Sequence, residues 1–339
     1  MMQVGKASYN VLKRSILRPI HTRGNQILRG CGIGVDSSAL QLVEDGAVIH
    51  NAPGSGVLVM ATGNMVLKSE QACKYVIYRV ANDLAVSGAK LETIQVSLTI
   101  PTSMSEQKLN RWMKKMDQVC AELDVTITGG HTAISPAVTM PVLSVTGIGR
   151  ERYFTPQKAK PGMDLVMTKY TGMEGTILLA IEKEEELHER YTYDFIHGAK
   201  QMMQDLSVLP ETLIAGQHGV TAMHNLSEGG VLGALWEMMD GAKTGMEVYL
   251  KKIPIRQETV EICEFFGLNP YQILSGGSVL MAAEDGNAVV RSLEKEGIAA
   301  TVIGTLTDQN DRILLNGEER RYLDRPQPDE IYKIIYPKS

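Results

Sequence analysis

The chain has 339 residues, 44% of them hydrophobic and 22% charged, which excludes a disordered polymer and leaves room for two folded domains. A net charge of −5 gives no electrostatic reason to bind nucleic acid or an anionic membrane surface. No stretch reaches the ~20 apolar residues of a spanning helix and the N-terminus lacks an apolar signal core, so a cytoplasmic protein is expected.

Residues 1–25 are basic and read as a solvated leading helix. A glycine-rich turn, Gly30 to Asp36, leads into a β-hairpin whose arms, Ala39 to Val43 and Ala47 to Ile49, flank Glu44-Asp45-Gly46. Asp-Gly between apolar runs is a hairpin signal. Val57 to Thr62 is a strand. Residues 70–86 form a helix with Val76, Val80 and Leu84 on one face, stopped by Gly88. The alternation Ile94, Val96, Leu98, Ile100 predicts a strand ended by Pro101. Ser103 to Glu106 reads as a capping box for an amphipathic helix carrying Leu109, Trp112, Met113, Met116, Cys120 and Leu123. Val125 to Thr128 is a short strand delivering a Gly129-Gly130-His131-Thr132 turn, and Val142 to Gly149 is another strand.

Pro156 and Pro161 in the charged stretch 150–162 mark a boundary between domains 1–150 and 151–339. Beyond it, strands are expected at Leu165 to Thr168, Val220 to Asn225, Val279 to Met281 and Ala300 to Ile303. Helices are expected from Gly175 to about Arg190, Val231 to Met239 and Val289 to Glu296, and a loosely wrapped polar tail follows. The 18 methionines imply adaptable core packing rather than a cofactor. Cys31, Cys73, Cys120 and Cys263 form no C-x-x-C pair and are expected as buried reduced thiols.

Three patterns carry potential chemistry. Asn82-Asp83 places an amide and a carboxylate at the end of an apolar helix; a carboxylate is a hard ligand for phosphate-bound Mg²⁺, but both side chains can equally satisfy local backbone groups. Gly129-Gly130 lets backbone approach an anion, with His131 and Thr132 beside it; the plain alternative is a tight turn. Ser227-Glu228-Gly229-Gly230 opens a helix, with Ser227 as N-cap and the glycine amides facing an anion; the alternative is only a capped helix. Asp36 is either a metal ligand or a turn residue.

The order of these motifs, together with Leu268-Asn269-Pro270 and Ser275-Gly276-Gly277, resembles the AIR synthase (PurM)-like superfamily over nearly the whole chain. Lys169 to Leu178 (KYTGMEGTIL) and Ser227 to Trp236 (SEGGVLGALW) are most similar to its HypE-like, AIR synthase-related branch. The resemblance implies a two-domain α/β (α+β) fold. Its N-terminal domain forms a shared β-barrel in a homodimer, and its C-terminal domain is an α/β sandwich. It implies ATP and Mg²⁺ as cofactors and phosphoryl transfer to an unidentified small-molecule or protein substrate. On that footing Asp36 and Asp83 are metal ligands. Asn82, Gly129, Gly130, His131 and Thr132 border the phosphates, and Ser227, Glu228, Gly229 and Gly230 bind from the second domain. No catalytic residue is assigned.

Three departures stand out. The family's Thr-Asp metal ligand is Thr62-Gly63 here, leaving Asn64 or His131 as its substitute. The Gly-Gly pair precedes His131 rather than an acid, as in selenophosphate synthetase and some HypE-like proteins. The tail ends Tyr336-Pro337-Lys338-Ser339 with no cysteine after Cys263, so the HypE reaction is not expected on it. Alternatives are therefore a variant hydrogenase-maturation role, AIR synthase itself, or a degenerate nucleotide-binding scaffold or sensor.

Overall fold

The structure is a computed structural model and describes residues 27–29, 37–40, 57–151 and 158–336. These fall into two compact units, one ending at β6 and the other starting after it. Cys31, Asp36 and most of the expected hairpin lie outside the described residues.

The first unit runs β1 (Ile27–Arg29), β2 (Ser37–Leu40), β3 (Val57–Val66), α1 (Ala72–Val86), β4 (Ala89–Ile100), α2 (Glu106–Leu123), β5 (Thr126–Ile134), β6 (Val142–Glu151). Its sheet has the order β1-β2-β3-β6-β4-β5, antiparallel except for the β4–β5 pair. Burial alternates along β4, with Ile94, Val96, Leu98 and Ile100 inward and Gln95 and Ser97 exposed. One face is thus apolar and helix-covered, and the other is open and polar.

Helix α1 lies on β3 and β6 along a track of glycines. A Cβ on Gly63 would come 3.1 Å from Val80 and 3.2 Å from Val76. On Gly147 it would collide with Val80 and Leu91, and on Gly149 with Lys90 and Leu84. Val76, Val80 and Leu84 recur at helical spacing, so one stripe of the helix beds onto bare backbone.

Helix α2 starts two residues later than the expected box. Ser105 is the N-cap and accepts from the Lys108 N–H at 3.3 Å. Trp112, Met116, Val119 and Cys120 are buried, whereas Met113, at the edge of their stripe beside Cys120, is exposed. Gly129 and Gly130 lie inside β5, not in a turn after it. The register between β4 and β5 shifts at Ile94/Gln95. Gly130, at φ 156°, then sits so close to the Val96 carbonyl that no Cβ fits.

The second unit contains β7 (Asp164–Thr168), α3 (Met173–Glu182), α4 (Glu184–Leu187), α5 (Tyr193–Gln201), α6 (Leu209–Gln217), β8 (Val220–Asn225), α7 (Gly230–Ala242), β9 (Gly245–Tyr249) and α8 (Gln257–Phe266). Then follow β10 (Val279–Ala283), α9 (Gly286–Lys295), β11 (Ala300–Thr307), β12 (Arg312–Asn316), β13 (Glu319–Tyr322) and α10 (Tyr332–Ile335). The expected helix from Gly175 is two helices, broken at Lys183. The sheet order is β13-β12-β9-β11-β7-β10-β8. Its core includes Met163, Met167, Met238, Met239 and Met246 beside Leu235, Leu280 and Ile303, so methionine serves as packing here. Cys73, Cys120 and Cys263 are buried free thiols. Burial pushes Cys73 and Cys263 up to about 12 and Cys120 to about 11. No helix of the described residues is long and apolar enough to cross a membrane.

Replacing Ser105 with Ala removes the α2 cap and is expected to cost about 1 kcal/mol, read as a lower urea midpoint with an unchanged slope. Trp112→Ala, at a fully buried site, is expected to cost roughly 3–5 kcal/mol.

Candidate functional site

Helix α1 is apolar along most of its length, yet it buries three polar side chains in its second half: Arg79, Asn82 and Asp83. Asp83 is only 8% exposed and Asn82 2%. Burying such groups costs several kcal/mol unless partners or a ligand answer them. Arg79 reaches from the helix to β3, its Nη1 donating to the Asn64 carbonyl at 3.5 Å. The helix closes with Ser87 Oγ donating to the Asp83 carbonyl at 3.1 Å, followed by Gly88 at φ 78°. Sequence reasoning found Asn82 and Asp83 and missed Arg79, one helical turn before Asp83.

The other first-unit candidates lie elsewhere on the sheet. The register aligns Asn64 with Ser144, Ser144 with Ser97, and Ser97 with His131. This row crosses the open face, away from α1, and His131 and Thr132 are exposed on the edge strand. Asn64 and His131 are three strand spacings apart, about 14 Å, so they cannot jointly ligate one ion. Thr62 and Thr146 meet on the same face at 3.0 Å.

Among the described residues no group of three or more His, Cys, Asp or Glu side chains could hold a metal. Asp83 is one carboxylate, and Asp36 lies outside the described residues. The described donors therefore do not make a Mg²⁺ site. At the missing-ligand position, Val76 and Val80 fill the space beside Gly63.

In the second unit the Ser227 to Gly230 turn is built differently from the expectation. Ser227 is not the cap; Gly229, at φ 83°, holds the N-cap position of α7 without a side-chain cap. The Ser227 carbonyl instead accepts from the Gly230 N–H at 3.2 Å and the Ser275 N–H at 3.3 Å. A Cβ on Gly230 would approach the Tyr271 carbonyl to 2.5 Å. The Gly229 N–H is also committed. It donates to Asp329 Oδ2 at 2.7 Å, a tail residue that sequence reasoning passed over.

Around this turn, backbone and hydroxyl groups interlock. Ser275 Oγ accepts from the Gly172 N–H at 2.7 Å and meets Thr171 Oγ1 at 3.2 Å. Ser278 Oγ donates to the Tyr170 carbonyl at 2.7 Å. Lys169, at φ 48°, sends its Nζ to the carbonyls of Asp205 at 2.7 Å and Ser207 at 2.6 Å, and to Glu211 Oε1 at 2.7 Å. Burial raises the Glu211 carboxyl while Lys169 opposes the rise.

Asp329 is itself buried. Desolvation lifts its carboxyl from 3.8 to about 7, against the lowering effect of hydrogen bonds from Ile331 and Gly229.

Residues 43–150 match the N-terminal domain, and residues 160–315 the C-terminal domain, of AIR synthase related proteins. The chain belongs to the AIR synthase related family. It is 26% identical, over 97% of both chains, to a Methanocaldococcus jannaschii protein with a provisional hydrogenase expression/formation name. Its fold is similar to that of Escherichia coli HypE, a hydrogenase maturation protein, with a TM-score of 0.69 and 21% identity over 80% of this chain and 86% of that one. A HypE structure in complex with ATP aligns over 97% of this chain and 98% of its own length, with a TM-score of 0.66 and 16% identity. The mixed α/β two-domain PurM-like fold is therefore established for this family member.

Two predictions follow from this geometry. Gly63→Asp restores the family's carboxylate only by pressing it into Val76 and Val80, and is expected to cost roughly 3 kcal/mol. Adding Val80→Ala should recover part of that loss in urea unfolding. For Asp329, the native state holds a proton that the unfolded chain releases above about pH 4. Its contribution to stability is therefore full at low pH and declines as pH rises toward 7. Melting curves from pH 4 to 8 should show this component in the wild type and lose it in Asp329→Asn.

Proposed function

We propose that this protein binds ATP and uses it to transfer a phosphoryl group to an unidentified small-molecule or protein substrate. The observation that carries this reading is the buried Arg79, Asn82 and Asp83 group on one otherwise apolar helix. The family membership and the ATP complex of a HypE protein of matching length support it.

In this reading the Asn82 amide donates to phosphate oxygens, whereas Gly129, Gly130, His131 and Thr132 stand on the edge strand β5, elsewhere on the sheet. Asp83, with Asp36, is assigned to the magnesium that would accompany the nucleotide and neutralise its charge. Phosphoryl transfer asks little covalent chemistry of a protein and depends on positioning and charge. No step is routed through the metal, because the described donors do not complete its shell. The open polar face of the first-unit sheet is assigned to a second copy of the chain, as the shared barrel of a homodimer requires. Ser227, Glu228, Gly229 and Gly230 are a separate second-unit candidate, in which the Gly229 amide is already bonded to Asp329.

The Val76 and Val80 packing at Gly63 favours a second reading, a nucleotide-binding scaffold or sensor without turnover. One titration separates the readings. ATP affinity and hydrolysis are measured with and without Mg²⁺ for wild type, Asp83→Ala and Asp83→Asn. The first reading expects Mg²⁺-dependent binding and turnover, with affinity at least about tenfold weaker in Asp83→Ala. Binding without turnover in the wild type supports the scaffold. ATP bound equally well by all three proteins removes Asp83 from the site, and no binding by any of them overturns both readings.

A further inference from the structure

The segment after β13 was expected to wrap loosely, but it is docked. Asp329 accepts from the Gly229 N–H at 2.7 Å and from the Ile331 N–H at 2.9 Å. Glu330 accepts from the Asn269 N–H at 3.2 Å, which ties the tail to the loop after α8. Tail and loop together line a cavity of about 140 Å³. Its tail wall, residues 321–327, lies beyond the family match, which ends at residue 315.

The pleat decides what the tail puts into that wall. Arg321 stands opposite Leu314 across the β12–β13 ladder, and residues directly opposite share a face. Leu314 is 2% exposed and belongs to the second unit's core. The Leu323 N–H donates to the Arg312 carbonyl at 2.7 Å, so the extended pairing runs one residue past β13. Leu323, two residues after Arg321, therefore falls on the same face and joins the same core. Arg321 is a cation in a row whose other two positions are apolar. Its neighbour Arg320 takes the opposite face and pairs with Glu247 at 3.0 Å.

Arg321 lines the cavity with Arg325. Among the described residues neither guanidinium has a partner, although Asp324 lines the same cavity. Two like charges at one small cavity repel each other and gain from an anion between them. The loop contributes Asn269 and Gln272, both half-buried. Asn269 Nδ2 donates to Gln272 Oε1 at 2.9 Å, and Asn269 Oδ1 accepts from the Tyr271 N–H at 3.1 Å. Both amide oxygens are thus occupied, while the Gln272 Nε2 donor has no partner among the described residues. The Gly229 N–H takes no part, because Asp329 already holds it.

We propose that this cavity binds one small oxyanion, a phosphate or carboxylate group, through the Arg321 and Arg325 guanidinium forks and the Gln272 amide. Its volume is that of about four or five waters, small beside the roughly 300–1,000 Å³ of a whole-ligand pocket. It therefore takes an inorganic anion or the charged end of a metabolite. The site lies wholly within the second unit and does not depend on the nucleotide reading. An anion seated there clips the tail to the loop after α8.

The test uses the full chain at an ionic strength held constant with chloride. Orthophosphate and malonate are titrated separately, by calorimetry, into wild type, Arg321→Gln, Arg325→Gln and the opposite-face control Arg320→Gln. Wild type should bind at least one of the two anions saturably, and the one that binds names the group. Affinity should fall about tenfold or more in Arg321→Gln and in Arg325→Gln, the scale of a lost charge-assisted hydrogen bond, and should hold in Arg320→Gln. Hydrogen exchange of amides 321–327 should slow when the anion is bound. Arg325→Gln, outside the strand, carries the comparison if Arg321→Gln folds poorly. No saturable binding of either anion by wild type overturns the site. Binding left unchanged by both cavity variants places the anion elsewhere, and equal weakening by Arg320→Gln reduces it to diffuse surface charge; either result also overturns the site.

Discussion

The close approach of one helix to a glycine track is the constraint on which the first unit depends. Val76, Val80 and Leu84 of α1 rest where Gly63, Gly147 and Gly149 present no side chains. Side chains at these positions would hold the helix off the sheet and lose the dense contacts that make a core. The same contact fixes the position of Asn82 and Asp83, since they ride on the far end of that helix. Position 63 therefore has two competing uses. A carboxylate there suits a metal, and a glycine there suits the bulky valines above it. In this chain packing holds the position.

The second unit solves a different problem. Strand–helix turns expose backbone N–H groups that need partners. At Ser227 to Gly230 the chain supplies those partners itself, the Ser227 carbonyl for the Gly230 N–H and Asp329 for the Gly229 N–H. A carboxylate at this place gains two amide hydrogen bonds and the field of α7. It also loses water and sits near Glu228, and desolvation is the larger effect. The result is a buried carboxyl whose two amide hydrogen bonds are opposed by desolvation.

Much of the architecture was legible from patterns of two and 3.6. The alternation along β4 and the Val76, Val80, Leu84 stripe of α1 named both elements. The glycine pair was legible as a place of close approach, but what approaches is different. Gly130 makes room for the Val96 carbonyl of its own neighbouring strand, inside a continuous β5. A shift in register across two strands leaves no mark in either strand's own sequence, so the turn expected at 129–132 had nothing to contradict it. Ser103 to Glu106 met the spacing of a capping box, but backbone geometry, with extended φ and ψ at Ser105, decided which serine caps. Asp329 was overlooked for a related reason. A lone carboxylate between Pro328 and Glu330 looks solvated, and its one sequence signal is the apolar Ile331 and Ile334 that follow.

The sequence by itself determined the two-domain α/β plan, the apolar stripes, the thiols buried in the core and the order of motifs that mark the family, because each depends on residues close together along the chain. Tertiary structure alone decided which candidates share a site. It set His131 on the open face, away from the helix that carries Asp83, filled the space beside Gly63 with valine side chains, and carried Asp329 one hundred residues back to Gly229. These are contacts between distant segments, fixed by strand order and by the packing of helix on sheet, and local pattern carries no information about either.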